Sequence, residues 1–169
     1  GLSAIAARIV VDATGDGDIA FSAGAAYEAG RDSDGLLQPM SIMFRVGGVD
    51  KARALLCGGE EQAARVETPQ GVWRDVVRRG QDTGELPPAV GVIRLYESWH
   101  DTRVVNATQI NGMDGRRAAD LTHAEIEGRR QAFAVLEFLR KHAPGYENAH
   151  IADMPAVIGV RETRRFLGL

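Results

Sequence analysis

Short β-branched runs broken by Gly- and Asp-rich turns fill the first half of the chain, and one long helical period dominates the second. Ile9, Val10 and Val11 form a compact apolar run that reads as a buried strand over residues 9–12. The turn Thr14-Gly15-Asp16-Gly17-Asp18 follows it. Residues 19–30 are Ala-rich and read as a helix, residues 31–39 as a polar loop, and residues 41–46 as a strand ended by Gly47 and Gly48. A short helix is expected over residues 50–56 with Asp50 as its N-cap, and another over residues 72–79. Residues 90–96 and 102–110 carry strand patterns around a connector holding Trp99, His100 and Asp101, which predicts an antiparallel hairpin. The clearest helix spans residues 123–142. Thr122 and Glu125 have capping-box spacing, and Ile126, Phe133, Leu136 and Leu139 form its expected buried stripe. Lys141 and His142 suit the C-terminal end of its dipole, and Pro144-Gly145 stops it. Residues 149–160 are strand-like apart from Pro155. Strands and helices mix without strict βαβ alternation, so the expected class is α+β, a mixed or antiparallel sheet with a long helix.

Composition narrows the function. The chain has 169 residues, which suits one domain, and a formal charge of −3, which predicts no general attraction to nucleic acid or anionic lipid. No apolar run reaches membrane-spanning length. Cys57 is the single cysteine, so neither an internal disulfide nor a Cys-based zinc site can form, and one thiol fits a reducing, cytoplasmic setting. No His/Cys/Asp/Glu grouping has metal-ligand spacing, and no Ser-His-Asp or Cys-His arrangement stands out. The chain lacks an initiator methionine, opens on a strand pattern and ends just after a dense motif, so it reads as an internal piece of a longer protein.

The stretch Val10-Val11-Asp12-Ala13-Thr14-Gly15-Asp16-Gly17-Asp18 is the richest in chemistry. Glycines beyond a strand end let the backbone approach a ligand, and carboxylates there accept hydrogen bonds from ribose or ribityl hydroxyls better than they tolerate a bare phosphate. A polar turn with Asp18 as helix N-cap explains the same residues. A calcium loop fits their first half but fails where Ala23 stands in place of a bidentate Glu. The dinucleotide fingerprint GxGxxG is absent.

Near the end, Arg161, Arg164 and Arg165 are spaced i, i+3, i+4 and would share one face of a helix. Such a cluster can clamp an anion or simply pair with acids such as Glu162. His100 sits in a loop, where a lone histidine is more often solvated than catalytic. Asn106 and Thr108 share one face of a strand and can line a cavity or meet solvent.

The segments VVDATGDGDIAFSAGAAYEAGR, QPMSIMFRVGGVD, DLTHAEIEGRRQAF and IGVRETRRFLG occur in that order. Together they resemble the FAD-dependent oxidoreductases that carry an ATGDGD signature; residues 52–88 carry no recognisable match. The resemblance implies an FAD-binding part over residues 1–49, a substrate-side α+β region over 50–160, and a return towards the flavin over 161–169. It implies that Thr14, Gly15, Asp16, Gly17 and Asp18 contact FAD, and that Arg161 and Arg164 act at the redox centre. It further implies hydride transfer between flavin and a small-molecule substrate. The family's N-terminal GxGxxG segment is missing, so this piece is expected to bind FAD weakly and to be inactive alone. A non-catalytic binding or scaffold domain of the same shape is the alternative.

Overall fold

A computed structural model describes residues 3–168. Its centre is a four-stranded antiparallel sheet in the order β5-β6-β2-β7. The strands are β2 (Met43–Gly47), β5 (Arg94–Glu97), β6 (Arg103–Asn106) and β7 (His150–Asp153). In β2, Phe44 and Val46 are buried while Met43 and Arg45 face outward, the alternation of a sheet covered on one face. The predicted hairpin is β5–β6, in register from Arg94 opposite Asn106 to Glu97 opposite Arg103. Thr108 extends the pairing beyond β6: its buried hydroxyl accepts from Ile42 N at 2.7 Å and donates to Ile42 O at 3.0 Å.

The long helix α4 (Ala118–His142) covers the buried face of the sheet, and α3 (Trp73–Asp82) packs against its C-terminal half. Trp73 and Phe138 rings meet at 6.0 Å, and the buried Trp73 indole donates to Ile93 O at 3.2 Å. The helix buries Leu136 and Leu139 as expected, but Ile126 and Phe133 are exposed. The buried face runs instead through Ala124, Gly128 and Ala132, about half a turn of the helix away from Ile126. Small residues are required there because helix and sheet approach closely. A Cβ on Gly128 would lie 2.9 Å from the Ile42 side chain.

Several expected elements differ. Residues 9–12 form no strand: Ile9 and Val11 are exposed, and no described strand pairs with them. A β-branched run becomes a strand only where a neighbour completes its ladder. The helix after the turn is only α1 (Asp18–Ser22), preceded by Gly17 rather than capped by Asp18. The chain then turns at Gly24 and enters β1 (Tyr27–Glu28). Residues 50–56 make a turn, in which Asp50 accepts from Ala52 N, and not a helix. The long helix begins at Ala118, so Thr122 lies inside it and bonds Ala118 O in place of a capping box. Its entry is fixed instead by Asp120, whose carboxylate accepts from Asp114 N at 2.9 Å. Only the first part of residues 149–160 is strand, as β7.

Shorter pieces complete the chain. Helix α2 (Glu60–Ala63) and the small ribbon β3 (Glu67–Thr68) with β4 (Gly71–Val72) lie before α3. Segments from the two halves of the chain meet in a second ribbon, where β1 pairs antiparallel with β8 (Arg165–Phe166). The arginine cluster is therefore extended backbone and not a helix, so Arg161, Arg164 and Arg165 do not share a helical face.

Candidate functional site

The acidic turn is built by its own side chains. Thr14 Oγ1 donates to Asp12 Oδ1 at 2.7 Å and accepts from Asp18 N at 2.9 Å. Asp12 also accepts from Thr14 N and, at 2.7 Å, from Ala20 N. The Ala20 and Thr14 bonds hold the Asp12 carboxyl below its ordinary range. Gly15 and Gly17 both have left-handed backbones, with φ of 79° and 67°. Space is open where a Gly15 Cβ would stand, whereas a Gly17 Cβ would strike the Phe166 ring. Gly15 thus presents bare backbone, and Gly17 makes room for β8.

The C-terminal motif grips this turn. The buried Thr163 donates to Asp16 Oδ1 at 2.8 Å. Arg164 Nη1 donates to Asp16 O at 2.9 Å and to Asp18 Oδ1 at 2.8 Å. Its guanidinium also lies 4.5 Å from the centre of the Phe21 ring, a cation–π contact. Arg164 is mostly buried, and its Nε has no partner among the described residues. Arg165 donates to Gly30 O at 2.6 Å and lies near Glu28 and Glu162. Glu162 in turn accepts from Gln38 N.

These contacts enclose a cavity of about 490 Å³, within the range of small-molecule sites. Its wall includes Gly15, Asp16, Gly30, Pro39, Arg161 and Thr163. Thr14, Gly17 and Asp18 shape the turn without lining this cavity. Arg31, Arg164 and Arg165 also reach the wall but are each paired, to Asp34, Asp18 and Glu28 or Glu162. Arg161 is exposed and forms no ion pair among the described residues. It lines a second cavity as well, of about 500 Å³, against the ends of β2 and β6. That cavity includes Asn106 and Thr108, whereas His100 and the exposed Trp99 lie on the β5–β6 loop and line neither.

Sequence reasoning singled out the charged residues of both motifs and overlooked three that join them. Thr163 stands inside Arg161-Glu162-Thr163-Arg164-Arg165, where attention falls on the charges. Phe21 and Phe166 are aromatic residues beside glycine- and arginine-rich turns, and that adjacency was the available signal. Among the described residues, no group of His, Cys, Asp or Glu side chains could hold a metal ion. No described helix is long and apolar enough to cross a membrane. Cys57 is buried, and that burial pushes its thiol pKa up, which disfavours the reactive thiolate.

No curated protein and no solved structure matches the chain. Residues 1–169 match the family described as FAD dependent oxidoreductase. The match covers the acidic turn, the sheet and the arginine motif together, and the chain belongs to the FAD-dependent oxidoreductase family.

Proposed function

We propose that this chain forms part of the flavin and substrate sites of an enzyme that transfers hydride between FAD and a small organic molecule. One observation carries the reading. The acidic turn and the arginine motif, distant in sequence, enclose one cavity and leave Arg161 on its wall with no ion pair among the described residues.

The lining fits a portion of FAD. Gly15 offers backbone with no Cβ in the way, so a flat or extended ligand can lie against it. Asp16, fixed by Thr163, offers carboxylate oxygen to ligand hydroxyls. Thr14, Gly17 and Asp18 hold the shape of that turn and the docking of β8. When bound, the flavin supplies the hydride acceptor or donor. Arg161 supplies the exposed positive charge that attracts an anionic group to the wall. Arg164 works through the turn, holding Asp16 and Asp18 in place.

The test is spectroscopic. The protein expressed from its complete gene should carry flavin absorption bands. Arg161→Ala should slow flavin reduction by substrate at least about tenfold, a loss of one charge-assisted contact. Arg161→Lys should recover only part of the rate, since it keeps the charge and loses the planar fork. A colourless protein, folded and unable to take up FAD, would instead mark a binding or scaffold domain of the family's shape.

A further inference from the structure

The second cavity is not explained by the flavin. It lies at the ends of β2 and β6, shares only Pro39 and Arg161 with the first, and combines polar residues with a few apolar ones such as Met40 and Val92. Ser41, Asn106, Gln109 and Asn111 contribute hydroxyl and amide groups, and no aromatic side chain is on its wall. Arg94 and Glu60 both stand on the wall and pair with each other at 3.3 Å, so among the described residues the charge left over in the cavity is that of Arg161.

Its wall is held rigidly from behind. Thr108 locks onto both backbone groups of Ile42, as described above. The buried Gln131 of α4 does the same for Gln109: its Oε1 accepts from Gln109 N at 2.8 Å, and its Nε2 donates to Gln109 O at 3.1 Å. A third bond, from Nε2 to Glu127 at 2.9 Å, fixes the amide itself. Two buried side chains, Thr108 to Ile42 and Gln131 to Gln109, therefore position the segment after β6 that presents Gln109 and Asn111 beside Asn106. Such support from behind is what a binding surface needs to hold its polar groups in place.

We infer that this cavity binds an open-chain hydroxy acid, its carboxylate on Arg161 and its hydroxyls on Asn106, Gln109 and Asn111. The class follows from the lining. An unpaired guanidinium selects a carboxylate, and amides can both donate to and accept from hydroxyls. The absence of an aromatic platform gives a flat or apolar ligand little to stack on. Arg161 borders both cavities, so a ligand seated here lies beside the first one. Calling the ligand a substrate rests on the flavin reading above; its binding does not.

The probe is gluconate, with glucose as a neutral polyol and butanoate as a carboxylate without hydroxyls. Each is titrated against the full chain while the side-chain amide signals of Asn106, Gln109 and Asn111 are followed by NMR. Gluconate should shift these signals saturably, and both controls should bind at least about tenfold more weakly, the loss expected for one charge-assisted contact or its hydroxyl counterpart. Arg161→Gln and Asn106→Leu should each weaken gluconate by about tenfold, with the remaining spectrum confirming a native fold. The inference is overturned if gluconate gives no saturable shift, if glucose or butanoate binds as well, or if the shifts fall on Gly15 and Gly30 instead. None of these readings requires flavin, so the inference can fail while the flavin bands of the complete protein remain, and the reverse.

Discussion

Thr163 and Asp16 lie 147 positions apart and share a 2.8 Å hydrogen bond from hydroxyl to carboxylate. Thr163 is buried and Asp16 is exposed on the cavity wall, so the bond ties the cavity-facing turn to the protein behind it. Thr163→Val keeps the shape and removes the donor. It should cost about 1 kcal/mol of stability, the usual net value of one such bond. Because Asp16 loses its anchor, FAD affinity should fall as well. Thr163→Ser should preserve both. Urea unfolding and FAD titration of the complete protein check the pair of effects; a stability loss with unchanged FAD affinity would remove Asp16 from the site.

Gly17 and Gly15 provide an internal comparison. Both have left-handed backbones, so alanine at either position costs about 1–2 kcal/mol for conformation alone. At Gly15 the new methyl meets open space, while at Gly17 it meets the Phe166 ring. Gly17→Ala should therefore be the more damaging, and Phe166→Ala in the same chain should recover the difference. Limited proteolysis over residues 14–31 reports the docking of this turn. Equal susceptibility of the two single variants would show that Phe166 does not rest on Gly17.

Asp114 provides the acid dependence. Its hydrogen bond with Arg116 is the main cause that holds its carboxyl at about 2, below the ordinary 3.8, against an opposing effect of burial. A carboxyl lowered by folding contributes stability above its unfolded pKa and loses it as pH falls through the folded value. The contribution should be whole at pH 5 and fade between about pH 4 and pH 2. Asp114→Asn should cost about 1 kcal/mol at neutral pH, allowing for solvent screening of the pair. The two proteins should converge near pH 2. Urea midpoints across that range test it, and a constant gap down to pH 2 would contradict the assignment.

The central fold was legible because its patterns are local. The run over residues 41–46, stopped by Gly47 and Gly48, marked β2, and strand-turn-strand patterning marked the hairpin. The buried face of α4 was read half correctly. Leu136 and Leu139 were recognised within an apolar stripe at helical spacing, but the seam of Ala124, Gly128 and Ala132 is set by how closely Ile42 approaches, which only the sheet determines. The run Ile9-Val10-Val11 misled for the converse reason: its composition suits a strand, but the described chain offers it no ladder. At the site, both motifs were visible separately. Their contact was not, because nothing in the spacing of Arg161, Arg164 and Arg165 says that the backbone there is extended and pairs with Tyr27 and Glu28.

The ribbon of β1 and β8 is only two residue pairs long, yet it joins segments more than a hundred residues apart. Little main-chain bonding opposes its separation, and few of its groups are buried. The side-chain ties of Thr163, Arg164 and Arg165 therefore set how often it opens. That opening is a local event, able to occur while the sheet and α4 stay folded. The first cavity is complete only while residues 27–28 and 165–166 are paired. Anything bound in it favours that pairing, so ligand uptake and the closure of the ribbon are one equilibrium.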